Sequence, residues 1–224
     1  MKKLIQQLNK PLSRYVWQPL YAWYSSSARY TTLKGMKLLV LQGVFHPSLF
    51  FSTKILLNWL EKYELQDIRL LEIGSGSGAV SIYASKKGAV VTAVDINPTA
   101  CECTKLNAKN NQQIIEVYES DLLVSVPLQC YDVIMINPPY YPKTPTNYTE
   151  HAWYCGEGFT FFKKLFEQVG AYMSPNAKIV LVLSEHCEIF QIKELAHARQ
   201  LSWKEIERFE NIVEKNYLFE INKV

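Results

Sequence analysis

Residues 70–78, Leu70-Leu71-Glu72-Ile73-Gly74-Ser75-Gly76-Ser77-Gly78, set three glycines directly behind a short apolar run. Such a run bounded by glycine predicts a buried strand that exits into a tight loop. Glycine there permits positive φ and lets the backbone approach a ligand with no Cβ in the way. The helix expected over 79–87 aims its unpaired N–H groups at the same point. Asp95 closes the next strand-like run, 21 residues after Gly74, where a carboxylate can accept two ribose hydroxyls. Gly74, Gly76 and Ala79 also satisfy the lenient G-x-G-x-x-A dinucleotide pattern, so the loop alone leaves the cofactor open. A tight turn beside a solvated strand-end acid is the plainer alternative.

Outward from this loop, strands and helices alternate. Strand-like runs fall at 68–73, 89–95, 114–119, 131–136 and 178–183, and helix-like runs at 79–87, 99–110, 160–173 and 188–198. Continuous apolar stretches such as Val133-Ile134-Met135-Ile136 belong in a sheet buried on both faces. The pattern is α/β with a parallel sheet and right-handed crossovers. Its end differs: runs 201–209 and 214–222 are joined by a short polar turn around Asn211, so they pair antiparallel. Ahead of the loop, 37–42 reads as a strand, and a helical pattern opens at His46-Pro47-Ser48 and ends near Tyr63. Two helices are expected at 2–9 and 14–24, split by Pro11. The chain thus divides into a basic, aromatic helical extension, 1–36, and one domain, 37–224.

Asn137-Pro138-Pro139-Tyr140 follows the apolar strand 131–136, at the carboxyl end where open sheets bind ligands. The prolines fix φ and remove local N–H donors. The Asn137 side-chain oxygen and the Pro138 carbonyl can therefore both accept from one NH2 group, and Tyr140 offers a flat face beside it. A planar amide or exocyclic amine is a poor nucleophile because its lone pair is delocalised. Two acceptors drawing on its protons turn that lone pair toward a donor carbon, and orientation alone can supply about 7–11 kcal/mol.

The 224 residues are 48% hydrophobic and 20% charged with a mean hydropathy of −0.08, which excludes disordered and collagen-like chains. No apolar run approaches the roughly 18 residues of a membrane span. Met1-Lys2-Lys3-Leu4-Ile5-Gln6-Gln7 turns polar too soon for a secretory signal. The five cysteines form no Cys-x-x-Cys pair and read as free thiols in a reducing cytoplasm. Cys101 and Cys103 point to different helix faces, and the four histidines have no ligand spacing, so no metal site is expected. Residues 1–60 hold eight bases and no acid, interleaved with aromatics such as Tyr15, Trp17 and Trp23. That arm can meet phosphates and stack on bases, or dock its aromatics on the main domain, which the mixed helical spacings favour. Lys86-Lys87 and Lys163-Lys164 read as solvated helix faces. Lys143 and His151, in the long loop 141–158, are candidates for a substrate mouth.

With these residues assembled, the chain resembles a class I S-adenosylmethionine-dependent methyltransferase. More narrowly it is similar to the release-factor glutamine methyltransferase (HemK/PrmC) group and the wider "methyltransferase small" family. The resemblance spans roughly 37–222 and rests on Glu72–Gly78, on Asp95-Ile96-Asn97-Pro98 and on Asn137–Tyr140. Cys155-Gly156-Glu157-Gly158-Phe159 is similar to the family's Gly-rich segment ahead of a helix. The resemblance implies a Rossmann-like seven-stranded sheet in the order 3-2-1-4-5-7-6 with the last strand antiparallel. It implies that Glu72, Gly74 and Gly76 border the cofactor's methionine part, Asp95 holds the ribose, Ile96 meets adenine and Asp121 accepts the adenine amine. Asn137, Pro138 and Tyr140 would orient the substrate nitrogen. Phe45, Ser52 and Thr53 match a segment placed over the methionine end, although Phe45 also suits a core position.

Two departures bear on the substrate. Few residues precede the first strand where bacterial relatives carry a helical docking domain, and Pro47-Ser48-Leu49-Phe50-Phe51-Ser52-Thr53 lacks the Arg of the related Pro-Arg-x-x-Thr-like segment. The compact form is similar to the single-domain branch whose members can depend on a small activator subunit. The acceptor is then a protein glutamine, in a translation factor or ribosomal protein, or alternatively an exocyclic base amine in RNA or DNA. A dehydrogenase using NAD leaves Asn137–Tyr140 without a role.

Overall fold

The computed structural model describes residues 25–210 and 214–224. The helices expected at 2–9 and 14–24 and the turn around Asn211 lie outside the described residues. Chain order runs β1 (Arg29–Leu33), β2 (Met36–Val40), α1 (Phe51–Glu61), β3 (Arg69–Ile73), α2 (Ala79–Lys86), β4 (Val90–Asp95), α3 (Pro98–Asn110) and β5 (Ile115–Glu119). It continues with β6 (Tyr131–Ile136), α4 (Thr160–Gln168), β7 (Met173–Ser184), α5 (Ile189–His197), β8 (Lys204–Glu210) and β9 (Lys215–Ile221).

Seven of these strands form one sheet in the order β5-β4-β3-β6-β7-β9-β8. Counted from the sheet's own first strand this is 3-2-1-4-5-7-6, and only β9 runs against the rest, as expected. Ile134, Met135 and Ile136 are 0% exposed because β6 is covered on both faces. On one face Ile134 and Ile136 pack with Phe162 and Leu165 of α4 and Ile192 of α5. On the other, Met135 and Val133 pack with Leu56 and Leu60 of α1 and Ile82 of α2.

Four boundaries differ from expectation by three residues or more. Helix α1 starts at Phe51 rather than at the expected His46-Pro47-Ser48 opening, because residues 47–49 form a turn. The helix expected over 160–173 stops at Gln168, because a 3-10 turn at Val169–Tyr172 leads into β7. That strand starts at Met173 rather than 178, and its pairing with β6 slips between Tyr131 and Val133 to accommodate Ser174-Pro175-Asn176. Strand β8 begins at Lys204, since Leu201 makes only an isolated bridge to Lys223.

Strand β1 pairs antiparallel with β2 through a two-residue turn, Lys34-Gly35, with φ of 48° and 74°. Both values are the positive ones that a tight hairpin requires. The hairpin straddles residue 36. It is tied to the domain by Asn107 of α3, which acts as a strand edge in miniature. Leu39 N donates to Asn107 Oδ1 at 2.7 Å, and Asn107 Nδ2 donates to Leu39 O at 2.7 Å and to Ser77 O at 2.9 Å. Cys103 Sγ reaches Leu39 O at 2.9 Å, while Cys101 Sγ faces Asp95 O and Tyr118 O, so the two thiols diverge. Lys87 is not the solvated side chain expected: its ammonium caps α1, donating to Leu60 O at 2.8 Å and Glu61 O at 3.1 Å.

Asn107 is wholly buried and satisfies groups on the hairpin and the glycine loop together. Asn107→Ala should therefore destabilise the protein by about 2–4 kcal/mol, since each stranded buried group costs about 1–3 kcal/mol. Urea unfolding monitored by circular dichroism measures it, and a loss below about 0.5 kcal/mol would show that the hairpin does not depend on Asn107.

Candidate active site

The three loop glycines all adopt positive φ: 80° at Gly74, 53° at Gly76 and 77° at Gly78. At Gly78 a Cβ would lie 2.9 Å from Thr104 Cγ2, so any larger residue would push the loop off α3. Thr104 holds the loop from beneath, donating from Oγ1 to Ser75 Oγ at 3.1 Å and Gly76 O at 3.2 Å. Gly74 sits on the sheet, its N–H donating to Val94 O at 2.8 Å, and a Cβ there would project into open space. That space is a cavity of about 450 Å³.

Every residue to which the resemblance assigns a role lines this one cavity: Phe45, Ser52, Thr53, Glu72, Gly74, Gly76, Asp95, Ile96, Asp121, Asn137, Pro138 and Tyr140. Asp95 is clamped by the backbone, accepting from Gly76 N at 2.8 Å on Oδ2 and from Asn97 N at 2.9 Å on Oδ1. Burial raises its pKa while those N–H donors and the nearby His151 oppose the rise. Glu72 accepts from the Ser81 N–H at 2.9 Å and from the Ser81 hydroxyl. Burial, helped by the Asp95 charge and countered by Ser81, pushes Glu72 up to about 8.

On the far side, Tyr140 OH donates to Asn137 Oδ1 at 3.2 Å. Burial raises the Tyr140 pKa strongly, with the Ser52 hydroxyl opposing the shift. Pro138 lines the cavity, and among the described residues no hydrogen bond to its carbonyl is seen. Loop 141–158 is folded back onto the site. Tyr140 N and Tyr141 N both donate to Trp153 O, at 3.0 and 2.9 Å, and Cys155 N returns to Tyr141 O at 2.8 Å. Trp153 closes an aromatic wall with Phe45 and Phe50, their ring centroids 4.7–5.6 Å apart.

Lys164 is exposed, as expected, but it also lines the cavity and its Nζ holds Asp121 Oδ2 at 2.6 Å. His151 lines the cavity, whereas Lys143 lies over the Tyr154 ring, 4.5 Å from its centre. Trp153, Ser120 and Glu214 also line it and were not singled out from the sequence. No local pattern marks Trp153 or Glu214, which reach the site through the fold of a loop and of the segment before β9, whereas Ser120 directly follows β5 beside Asp121. Among the described residues no group of three or more His, Cys, Asp or Glu side chains could hold a metal ion.

Glu72 makes stability depend on pH. Its folded pKa of about 8 lies above the usual 4.5, so between those values the folded state keeps a proton that the unfolded chain releases. Stability is therefore greatest at the acid end of that window and falls as pH rises toward 8, by at most about 1.4 kcal/mol per pH unit. Glu72→Gln should flatten the fall. Urea midpoints for both proteins at pH 6 and pH 9 test it, and parallel pH profiles would refute it.

Residues 35–205 match the methyltransferase small domain family. A relative from Methanocaldococcus jannaschii, provisionally named a protein N5-glutamine methyltransferase, is 41% identical over 113 residues, 50% of this chain and 55% of the relative. The release factor glutamine methyltransferase of Lactococcus lactis is 28% identical over 134 residues, 54% of this chain and 49% of the relative. The chain thus spans about half the length of these relatives. The E. cuniculi Mtq2–Trm112 complex, responsible for methylating the eRF1 termination factor, shares the fold with a TM-score of 0.64 at 20% identity. That match covers 81% of this chain and 99% of the other. Glycines without a Cβ on the cavity wall and a backbone-clamped carboxylate suit S-adenosylmethionine, and the chain belongs to the methyltransferase small domain family of S-adenosylmethionine-dependent methyltransferases.

Proposed function

We propose that the protein methylates the side-chain amide of a glutamine in a polypeptide substrate. The observation that carries this reading is that Asn137, Pro138 and Tyr140 line the same cavity as Glu72, Gly74 and Asp95. S-adenosylmethionine supplies a methyl group on a sulfonium, an electrophile that needs no metal. The chain's own residues do the rest. Asn137 Oδ1 and the Pro138 carbonyl each take one N–H of the acceptor NH2, and the Tyr140 ring lies along the amide plane. Tyr140 OH already holds Asn137 Oδ1, so the acceptor is oriented before substrate arrives. Gly74 leaves room for the methionine part, while Asp95 receives the ribose. Asp121 faces the adenine amine with one oxygen and Lys164 with the other. Phe45 and Thr53 close the methionine end, and Ile96 flanks the base.

Relatives that act on glutamine support the polypeptide acceptor. The partners that go with it are a translation factor or ribosomal protein and a small activator subunit, as in the Mtq2–Trm112 complex. The second reading, an exocyclic base amine in RNA or DNA, draws on the acid-free, aromatic first 60 residues. Free thiols at all five cysteines support a place in the cytoplasm. Among the described residues no helix is long and apolar enough to cross a membrane.

Tritiated methyl transfer into lysate decides between the readings: the label should be protease-sensitive, and nuclease-sensitive label would overturn the glutamine assignment. Asn137→Ala should leave cofactor affinity within about twofold by calorimetry while turnover falls by roughly 10²–10³, comparable to losing one oriented polar group elsewhere. Turnover equal to the parent would remove Asn137 from the chemistry. Asp95→Ala should instead weaken cofactor binding by about tenfold or more, the loss of charge-assisted hydrogen bonds.

A further inference from the structure

Asp121 sits where the chain leaves β5. Ser120 N donates to Asp95 O at 2.9 Å, and the backbone then turns at Leu122, whose φ is 55°. That turn sends Leu122 and Leu123 into the core beside Leu165 and leaves Asp121 exposed at the rim of the cavity. Helix α4 holds the turn along one face. Lys164 and Gln168 are four residues apart, so their side chains stand one above the other. Lys164 Nζ donates to Asp121 Oδ2 at 2.6 Å, and Gln168 Oε1 accepts from Leu123 N at 3.1 Å. Four residues further along, the Tyr172 hydroxyl lies 3.0 Å from Leu123 O and 2.9 Å from Val126 O.

The side chains of Lys164 and Asp121 are each 46% exposed, and an ion pair so placed adds little to stability. Gln168 and Tyr172 already secure the backbone of the turn, so the fold does not need the pair. What the ammonium fixes is the carboxylate itself. The torsion that turns an aspartate carboxylate is soft, so a free one at the solvent edge spreads its oxygens over many directions. With Oδ2 held by Lys164, Oδ1 presents one direction. An ionised carboxylate oxygen can only accept, so it suits an NH2 group and repels a carbonyl oxygen.

Resting on the reading of Asp121 as the residue that meets the adenine amine, we propose that Lys164 is a positioning residue that sets the cofactor site's preference for the 6-amino group of adenine over the 6-oxo group of hypoxanthine. It acts through Asp121 and takes no part in methyl transfer. Without its ammonium the carboxylate turns to solvent, and the two bases become nearly alike to the site.

Calorimetry with S-adenosylhomocysteine and S-inosylhomocysteine on the full chain tests this without any methyl acceptor. The parent should bind the adenine compound tighter by roughly tenfold or more. Lys164→Ala should shrink that ratio to under about threefold, a loss of the size an exposed ion pair can supply. Asp121→Asn should abolish the preference, and adding Lys164→Ala to it should move the ratio by less than about twofold, because the lysine works through the carboxylate. A purely structural lysine would leave the ratio of the two affinities alone; urea midpoints report the folding of each variant. An unchanged ratio in Lys164→Ala, or a lysine effect that persists beside Asp121→Asn, would strike Lys164 from the role. Equal affinities in the parent, or an unchanged ratio in Asp121→Asn, would overturn the adenine reading of Asp121 and the proposal with it. The amide reading is decided separately, by the lysate label.

Discussion

The order of strands reverses at β3, whose neighbours in the sheet are β4 and β6. The chain leaves β3 to build one half of the sheet and returns in β6 to build the other. No crossover connection covers the carboxyl ends of β3 and β6, which leaves a crevice between the halves. All the chemistry depends on that gap. The glycine loop leaves β3, Asp95 ends β4, and Asn137 follows β6, so adjacent strands bring all three to one cavity. A different strand order with the same motifs would scatter them. Helix α3 sets the height of the loop, since Thr104 and Asn107 bond its backbone from beneath.

Two carboxylates sit at this edge, Glu72 buried and Asp95 half-buried, and they are stabilised by different means. Asp95 is met by backbone N–H groups on both oxygens, which offset part of the loss of water. Glu72 has Ser81 on one oxygen, and burial beside another acid makes the protonated form favourable near neutrality. A cation placed next to Glu72 would reverse that preference.

Periodicity revealed the sheet because its strands are buried on both faces, so their apolar runs stand out between glycines. Val133–Ile136 is the clearest case, and the expected bounds of that strand match the observed ones. The glycine loop, Asp95 and Asn137–Tyr140 were legible for a related reason: each lies within a few residues of a strand end, and strand order does the rest. What lay beyond reading were contacts made across long sequence separations. Strand β1 alternates only half-buried residues, Arg29-Tyr30-Thr31-Thr32-Leu33, and gains strand character by pairing with β2. Lys87 reads as a solvated lysine yet caps α1, and the exposed Lys164 gains an ion pair with Asp121 that no local pattern announces, because the carbonyls and carboxylate they meet are distant in sequence. Asn107 in a polar helix stretch carries no sign that Leu39 lies against it.

The acceptor side works by orientation. An amide nitrogen must give up conjugation to attack a methyl carbon, and no strong base is needed if its lone pair is held in line while the N–H bonds are drawn away. That demands acceptors that do not move. Pro138 has a fixed φ, and the segment after it is tied down where Tyr140 N and Tyr141 N both bond Trp153 O. Trp153 in turn packs against Phe45 and Phe50, which precede α1 on the cofactor wall. The Asn137–Tyr141 segment and the aromatics Phe45 and Phe50 therefore belong to one packed unit joined through Trp153, so that a shift of either wall of the cavity moves the other.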